Sequence, residues 1–344
     1  MKMGIIGATG YGGLELIRLL SSHGQVSDIQ LFTSSEEGVL LSSKYPHLTK
    51  LYDQPLEAIT KEAIAALDVV FFGTPSGVSG QLIPRIYNEK TKFIDLSGDL
   101  RLKSQQAYEQ WYKKTAAPQE LINKSVYGLC GWNDVAIEKA QVIANPGCYP
   151  TATLLSLLPL LASELVEHKG IIVDAKSGVS GSGNKPTQMT HFTETTEATT
   201  IYKMNAHQHI PEIEQAIKAY TGHVEPITFS THLVPMIRGI ITTSYVQVKE
   251  NIKLEQLQQC FQEAYASDPF IRFIENADKF STNQVRGTNF CDITINLDER
   301  TNRLTVVAVI DNLVKGAAGQ AIQNMNKMMG FEEQEGLKQV PMFI

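Results

Sequence analysis

Apolar residues in the first half of the chain form short runs that alternate with segments of helical spacing. Such runs are typical of buried strands, and an apolar period near 3.6 is typical of an amphipathic helix. The predicted strands are residues 1–6, 28–32, 68–72, 92–96 and 141–144, and the predicted helices are residues 14–20, 78–87, 105–119 and 152–161. This alternation predicts an α/β domain with a doubly wound parallel sheet, which binds ligands at the carboxyl ends of its strands.

The pattern changes after the helix at residues 152–161. Long β-rich segments follow at residues 170–175, 226–234, 239–248, 291–298 and 303–310, with a helix at 254–266. Strands joined without crossover helices make an antiparallel or mixed sheet. We therefore expect a second domain of the α+β class.

Length and composition agree with two folded domains. The chain has 344 residues, of which 43% are hydrophobic and 19% charged, so each half is long enough to bury a core. The net charge of −6 argues against nucleic acid or an anionic membrane as the main partner. Four widely spaced cysteines without a signal peptide predict a cytoplasmic protein without a disulfide framework.

A glycine-rich turn joins the first predicted strand to the first helix. Gly7, Gly10 and Gly13 follow the spacing G-x-x-G-x-x-G, and strand–turn–helix is the context of a dinucleotide-binding loop. Glycines there let the backbone approach a pyrophosphate, and the helix N-terminus faces its negative charge. An ordinary tight turn remains the alternative.

The end of the second strand bears on cofactor choice. An NAD-binding fold usually places an acidic residue there, but this chain has Thr33, Ser34 and Ser35. Hydroxyls leave room for a ribose 2′-phosphate, which favours NADP over NAD. Glu36 and Glu37 follow at once and would repel a phosphate. Lys44 is the nearest cation in sequence that can offset their charge.

Residues 145–152, Asn-Pro-Gly-Cys-Tyr-Pro-Thr-Ala, connect a buried strand to an apolar helix. Pro146 and Gly147 force a sharp turn, which puts Cys148 where the helix begins. A helix N-terminus carries about half a positive charge and favours a thiolate, the nucleophilic form of cysteine. Cys148 is therefore a candidate nucleophile; the alternative is a small buried hydrophobe.

Two histidines precede another helix start. His207 and His209 are followed by Pro211, which suits a first turn, and by Glu212. A zinc site, a helix-capping histidine and a general acid–base are all open, the last being the most economical. Glu212 would then fix the tautomer of the histidine or bind substrate. Arg101, after the fourth strand, and Arg238, between two strands, are candidate anion-binding residues.

The motifs together resemble those of N-acetyl-γ-glutamyl-phosphate reductases. The resemblance rests on the glycine loop, residues 145–152, the small-residue loop 176–183, residues 207–214 and residues 311–321. It implies NADPH-dependent reduction of N-acetyl-γ-glutamyl phosphate to the semialdehyde and phosphate through a cysteine thioester, in arginine biosynthesis. It also implies a Rossmann domain of residues 1–149 completed by residues 312–344, a catalytic and dimerisation domain of residues 150–311, and a homodimer or homotetramer.

The resemblance assigns roles to individual residues. Cys148 would be the nucleophile and His209 the acid–base, with substrate contacts from Arg101, His207, Glu212 and Arg238. Expected cofactor contacts are Gly7, Thr9, Gly10, Tyr11, Gly12, Ser34, Thr74, Ser177, Gly178 and Asn312, and no metal is expected. Many members of the family place a basic residue after the hydroxyls, where this chain has Glu36.

Three other functions compete with this one. Aspartate-β-semialdehyde dehydrogenase uses the same chemistry on a shorter substrate without an N-acetyl group. A Cys–His acyl hydrolase or transferase would leave the glycine loop without a role. A catalytically silent nucleotide sensor would need no reactive thiol.

Overall fold

The computed structural model describes residues 1–223 and 225–342, and these divide into two compact units. The first unit comprises Met1–Pro146 and Ala317–Lys338, and the second comprises Gly147–Gly316 together with residues 339–342. The chain thus enters the second unit one residue before Cys148, and returns to the first unit for its last long helix.

The bounds of the strands and helices within the described residues are as follows. The strands are β1 Lys2–Ile6, β2 Asp28–Thr33, β3 Glu57–Ala58, β4 Val69–Phe72, β5 Lys92–Asp95, β6 Ser125–Tyr127, β7 Val142–Ala144, β8 Ile172–Ser177, β9 Thr200–Ile201, β10 Thr228–Leu233, β11 Ile240–Gln247, β12 Ile271–Phe273, β13 Cys291–Asp298 and β14 Arg303–Ile310. The α-helices are α1 Tyr11–Leu20, α2 Leu41–Lys44, α3 Lys61–Ala65, α4 Ser79–Ile86, α5 Gln105–Tyr112, α6 Gln119–Lys124, α7 Asp134–Lys139, α8 Cys148–Ala162, α9 Phe192–Thr195, α10 Ile210–Thr221, α11 Leu254–Ala264 and α12 Gly319–Met329. A π-helical turn, Val314–Ala318, leads into α12.

The first unit is built on a parallel sheet with strand order β3-β2-β1-β4-β5-β7-β6. Its central strands are buried on both faces, as the run Val69–Phe72 shows with four buried residues in succession. Such runs are expected where helices cover both sides of a parallel sheet. The strand order reverses at β1, so the β1–α1 turn lies at the switch point where this architecture binds ligands.

The second unit contains a mixed sheet with strand order β12-β13-β14-β11-β8-β10-β9. The pairs β8–β10 and β12–β13 are parallel, and the other neighbours are antiparallel. Helix α8 packs on β11 and β14 and on helices α10 and α11, and every residue from Tyr149 to Leu161 is buried. The expected α/β plus α+β architecture is confirmed.

The helix predicted over residues 105–119 is wrong in extent. Helix α5 ends at Tyr112, because Lys113 adopts a left-handed conformation with φ of +57°. The residue before a proline disfavours helical angles, and Pro118 precedes α6. Within α5, Tyr108 is buried and stacks on Tyr112 with ring centroids 4.5 Å apart.

Strand β8 also differs from its prediction, because it begins at Ile172 and runs through Ser177 rather than covering residues 170–175. Gly170 has a φ of +76°, which belongs to a turn. Within the described residues, no helix has both the length and the apolar character needed to cross a membrane.

Candidate active site

The glycine loop of the first unit is packed so tightly that two of its glycines cannot carry a side chain. Gly7 has a φ of +89°, and a Cβ there would lie 2.6 Å from the carbonyl oxygen of Gly73. A Cβ on Gly13 would lie 2.4 Å from the carbonyl oxygen of Gly7. These two glycines hold the turn against β4, and Gly13 is a member of the motif that was not among the expected cofactor residues.

The same loop leaves room for a ligand over its other glycines. A Cβ on Gly12 would meet no atom within 4 Å, and one on Gly10 would meet nothing closer than 3.6 Å. Helix α1 starts at Tyr11 without a side-chain cap and without an acidic residue in its first turn. An open glycine surface beside an uncapped helix N-terminus fits a dinucleotide pyrophosphate.

Two other expected cofactor residues of the first unit lie just after strands, and a third lies in the glycine loop. Ser34 directly follows β2, and Thr74 follows β4 by one residue. The buried Thr74 hydroxyl oxygen has no hydrogen-bond partner among the described residues. Thr9 lies within the glycine loop, where its carbonyl oxygen accepts a hydrogen bond of 2.7 Å from the Tyr45 hydroxyl.

Cys148 is the first residue of α8, as the sequence predicts, and Gly147 is its N-cap. All four cysteines lie in the described residues. Cys148 is partly exposed, whereas Cys130, Cys260 and Cys291 are buried. The π-helical turn packs on this residue, because a Cβ on Gly316 would lie 2.8 Å from Cβ of Cys148. Cys148 is thus partly exposed, and the π-helical turn packs against its Cβ.

The start of α10 brings two side chains against Gly147. His209 is the N-cap residue of α10, and a Cβ on Gly147 would lie 2.5 Å from its Nε2 and 2.9 Å from its Cδ2 and Cε1. The buried Glu212 accepts a hydrogen bond of 2.8 Å at Oε1 from the Gly147 amide. The imidazole therefore lies against the residue that precedes the candidate nucleophile. The His209 side chain makes no capping hydrogen bond to α10.

His207 is buried among aromatic rings and forms a hydrogen bond with the backbone of His209. Its ring lies 5.4 Å from that of Tyr149, 5.6 Å from that of Tyr202 and 6.0 Å from that of Phe229. Nδ1 of His207 accepts a hydrogen bond of 3.1 Å from the His209 amide. Burial lowers the pKa of His207 to about 3, so the ring is neutral and Nδ1 is an acceptor. This hydrogen bond helps to position His209. The expected substrate contact from His207 stays a prediction.

Tyr149 and Tyr202 extend the aromatic cluster. Their hydroxyls are 2.8 Å apart, and burial raises the pKa of both phenols. Both therefore remain protonated at neutral pH. Neither was singled out from the sequence, although Tyr149 directly follows Cys148.

The small-residue loop after β8 is tied to the chain around Arg238. The Ser177 hydroxyl donates to the Gly178 carbonyl at 3.0 Å, and the Gly178 amide donates to the Gly239 carbonyl at 2.8 Å. Asn312 accepts at 2.7 Å from the Gly239 amide. Ser177, Gly178 and Asn312 thus hold this loop within the second unit. Their contact with a cofactor stays a prediction.

The two candidate arginines have different surroundings. Nη1 of Arg238 lies 3.5 Å from a carboxylate oxygen of the buried Asp311, and the side chain is partly exposed. Arg101 is buried in the first unit, where Nε donates to the Asn145 carbonyl at 2.8 Å and Nη2 to the Leu96 carbonyl at 3.0 Å. These hydrogen bonds give Arg101 a part in fixing the turn at Asn145. For both arginines, substrate binding stays a prediction.

Comparison with known proteins agrees with this arrangement. The family model described as "Semialdehyde dehydrogenase, NAD binding domain" matches residues 2–140, and "Semialdehyde dehydrogenase, dimerisation domain" matches residues 148–312. The N-acetyl-gamma-glutamyl-phosphate reductase of Geobacillus kaustophilus (strain HTA426) is 51% identical over 343 residues, covering 100% of both chains. That of Bacillus cereus (strain B4264) is 50% identical over 345 residues, again covering 100% of both. The chain belongs to the N-acetyl-gamma-glutamyl-phosphate reductase family.

Membership confirms the resemblance, and it makes the chain an oxidoreductase with an NAD(P)-binding domain and a dimerisation domain. Solved structures with the same fold include aspartate semialdehyde dehydrogenase II from Vibrio cholerae, complexed with ASA, with a TM-score of 0.72 at 16% identity. Aspartate semialdehyde dehydrogenase from Candida albicans, solved with NADP, has a TM-score of 0.68 at 16% identity. Each covers 96% of this chain and is itself covered to 98%. At this identity the likeness shows the reductase fold alone.

Two contacts of the site could not be predicted from the sequence, because they join residues that lie far apart in the chain. Gly316 lies 168 positions after Cys148, and only its small size signalled a close approach. The contact of His209 with Gly147 was likewise invisible, although a glycine directly before a candidate nucleophile is the available signal. Both glycines permit backbone approaches that any side chain would block.

Proposed function

We propose that the chain reduces N-acetyl-γ-glutamyl phosphate with NADPH, giving N-acetyl-glutamate 5-semialdehyde and phosphate, through a thioester on Cys148. The proposal extends to this chain the activity named for relatives that are about 50% identical over their whole length. The observation that carries the mechanism is a partly exposed cysteine at a helix N-terminus, with an imidazole against the preceding residue.

The first step is acyl transfer to sulfur. The Cys148 thiolate attacks the acyl carbon of the substrate, a C–S bond forms, and the bond from carbon to the phosphate oxygen breaks. Phosphate leaves with the electron pair. Backbone amides at the start of α8, together with His209, stabilise the oxyanion that forms during attack. Losing one such donor typically costs about 3–4 kcal/mol in the barrier.

The second step is reduction of the thioester. The nicotinamide, when bound, supplies the hydride. His209 protonates the oxygen as the hemithioacetal forms and takes the proton back as the C–S bond breaks to release the aldehyde and the thiolate. His207 holds the His209 backbone through the His209 amide, and Glu212 holds the Gly147 amide beside the nucleophile.

Substitution of the two catalytic residues tests the mechanism. Cys148→Ala should abolish acyl-phosphate-dependent NADPH oxidation while NADPH binding, measured by calorimetry, stays near that of the wild type. The matched control is Cys260→Ala, which removes a buried thiol on α11 and should leave turnover unchanged. Retained turnover in Cys148→Ala would rule out the covalent step.

His209→Asn should slow turnover by about 10²–10⁴-fold, as for loss of a general acid–base. A reduction of less than about tenfold would remove His209 from that role. The wild type separates the other two functions: an acyl hydrolase would consume the acyl phosphate without nucleotide, and a silent sensor would show no turnover.

The substrate is tested by running the reaction in reverse. Phosphate and NADP are supplied with N-acetyl-glutamate semialdehyde or with aspartate semialdehyde, and NADPH formation is followed by absorbance. We expect turnover with the N-acetylated aldehyde only. Preference for aspartate semialdehyde would assign the chain to the activity named for its structural neighbours.

We further propose NADP as the cofactor, because β2 ends in hydroxyl side chains rather than in a carboxylate. The first unit is then the nucleotide-binding domain and the second the catalytic and dimerisation domain. A cytoplasmic homodimer or homotetramer is the expected assembly, and sedimentation velocity measures it.

A further inference from the structure

An ion pair lies just beyond the carboxyl end of β2. Lys44, the last residue of α2, pairs through Nζ with Oε1 of Glu36. Both side chains are about one-third exposed, so the ammonium group can bind a second anion without losing Glu36. Glu36 alone would repel a phosphate at this place, but the ammonium group of Lys44 offsets its negative charge.

The segment that carries Lys44 returns to the glycine loop. After Thr33 the chain leaves β2. It is held beside Leu56 by hydrogen bonds from the Gly38 amide to the Leu56 carbonyl and from the Leu56 amide to the Val39 carbonyl, both 2.9 Å. Tyr45, the next residue after Lys44, then donates through its hydroxyl to the carbonyl of Thr9 at 2.7 Å. Lys44 is therefore fixed between the glycine loop and the end of β2.

That position is where this fold holds the adenosine ribose. In a doubly wound sheet the pyrophosphate sits on the glycine loop, and the ribose 2′ position faces the end of the second strand. Ser34 and Ser35, which carry hydroxyl groups, are both exposed at that end. A 2′-phosphate needs a cation and hydroxyl donors there, because a phosphate binds through charge-assisted hydrogen bonds.

We propose that Lys44 binds the 2′-phosphate of the cofactor and that Glu36 holds Lys44 in position for it. The inference rests on the proposed use of NADP and names the residue that makes the choice between NADP and NAD. Glu36 plays no direct part in binding. Its carboxylate acts through the ion pair with the Lys44 ammonium group.

Binding of nucleotide fragments tests this without any turnover. Adenosine 2′,5′-bisphosphate carries the 2′-phosphate, and 5′-AMP lacks it. By isothermal titration calorimetry, Lys44→Gln should raise the Kd for the bisphosphate by about tenfold or more, as for a lost charge-assisted hydrogen bond. Its Kd for 5′-AMP should stay within about twofold of the wild type. As the salt concentration rises, the wild-type affinity for the bisphosphate should also fall more steeply than its affinity for 5′-AMP.

Two further variants make the outcome decisive. Glu36→Gln, which frees the ammonium group, should bind the bisphosphate at least as well as the wild type. Lys90→Gln removes an exposed lysine just before β5, at the amino edge of the sheet, and should change neither affinity. An unchanged bisphosphate Kd in Lys44→Gln, or an equal loss of both ligands, would overturn the role of Lys44.

The proposed function can fail separately. A wild-type protein that binds the bisphosphate through Lys44 but does not oxidise NADPH with the acyl phosphate would overturn the reaction and leave the cofactor site standing. A wild-type protein that turns over equally well with NADH and NADPH would keep the reaction and overturn the inference about Lys44.

Discussion

His207 makes the stability of the second unit depend on pH. Its pKa is about 3 in the folded protein because the ring is buried, against an ordinary value of 6.5. As the pH falls, the unfolded chain binds a proton first, so the folded state loses stability. The folded-state pKa is depressed, and the stabilisation is therefore complete above about pH 6.5 and is lost progressively towards about pH 3.

The size of the effect follows from these two pKa values. Between about pH 7.5 and pH 5.5 the unfolded ring goes from about one-tenth to about nine-tenths protonated, while the folded ring stays neutral. The second unit should lose about 1.4 kcal/mol of unfolding free energy over this range. Protonation of Nδ1 would also remove the acceptor of the His209 amide. Protonating His207 in the folded state would therefore cost this hydrogen bond.

Hydrogen exchange of the β8 and β11 amides, read by mass spectrometry at both pH values, measures this loss. His207→Gln provides the control, since its amide oxygen can accept from the His209 amide but does not titrate. Burial also lowers the pKa of His168, and that residue titrates in both proteins, so the difference between them isolates His207. Equal pH dependence in wild type and variant would refute the argument.

Three further predictions concern the neighbourhood of Cys148. Iodoacetamide should alkylate Cys148 alone in the folded protein, because the other three cysteines are buried; peptide mapping that finds another modified site would contradict this. Gly147→Ala places a Cβ 2.5 Å from Nε2 of His209, and kcat should fall by about 10²–10⁴-fold with NADPH binding retained. Gly316→Ala places a Cβ 2.8 Å from that of Cys148. This substitution should lower the unfolding free energy of the second unit by about 1–3 kcal/mol and change the rate at which Cys148 is alkylated. If the unfolding free energy and the alkylation rate both stay unchanged, the π-helical turn does not constrain the thiol.

Features encoded in neighbouring residues were predictable from the sequence. The turn at Gly7–Gly13 followed from an apolar strand, glycines and a helical pattern in direct succession. The position of Cys148 followed from Pro146 and Gly147, which break the chain between a strand and a helix. Each of these inferences uses only local conformational preferences, and the observed helix starts at Tyr11 and Cys148 agree with them.

Features that depend on contacts between distant residues were not predictable. The hydrogen bond from the Gly147 amide to Glu212 joins residues 65 positions apart. His207 has the same local pattern as His209, and both are buried. They differ in long-range contacts, because the His209 ring lies against Gly147 whereas the His207 ring lies against Phe229. Periodicity also failed where a single backbone angle decided the outcome, as at Lys113.

The order in which the ribosome makes this chain has a consequence for its biogenesis. Helix α12 packs on α1 and α7, and Ala321, Ile322 and Met325 are wholly buried in the first unit, yet these residues are synthesised after nearly all of the second unit. A nascent chain that ends before residue 317 therefore presents an uncovered apolar surface on its earliest-made part. We expect that surface to recruit chaperones until residues 317–338 have been made, and truncation before residue 317 to yield aggregation rather than an autonomous first unit.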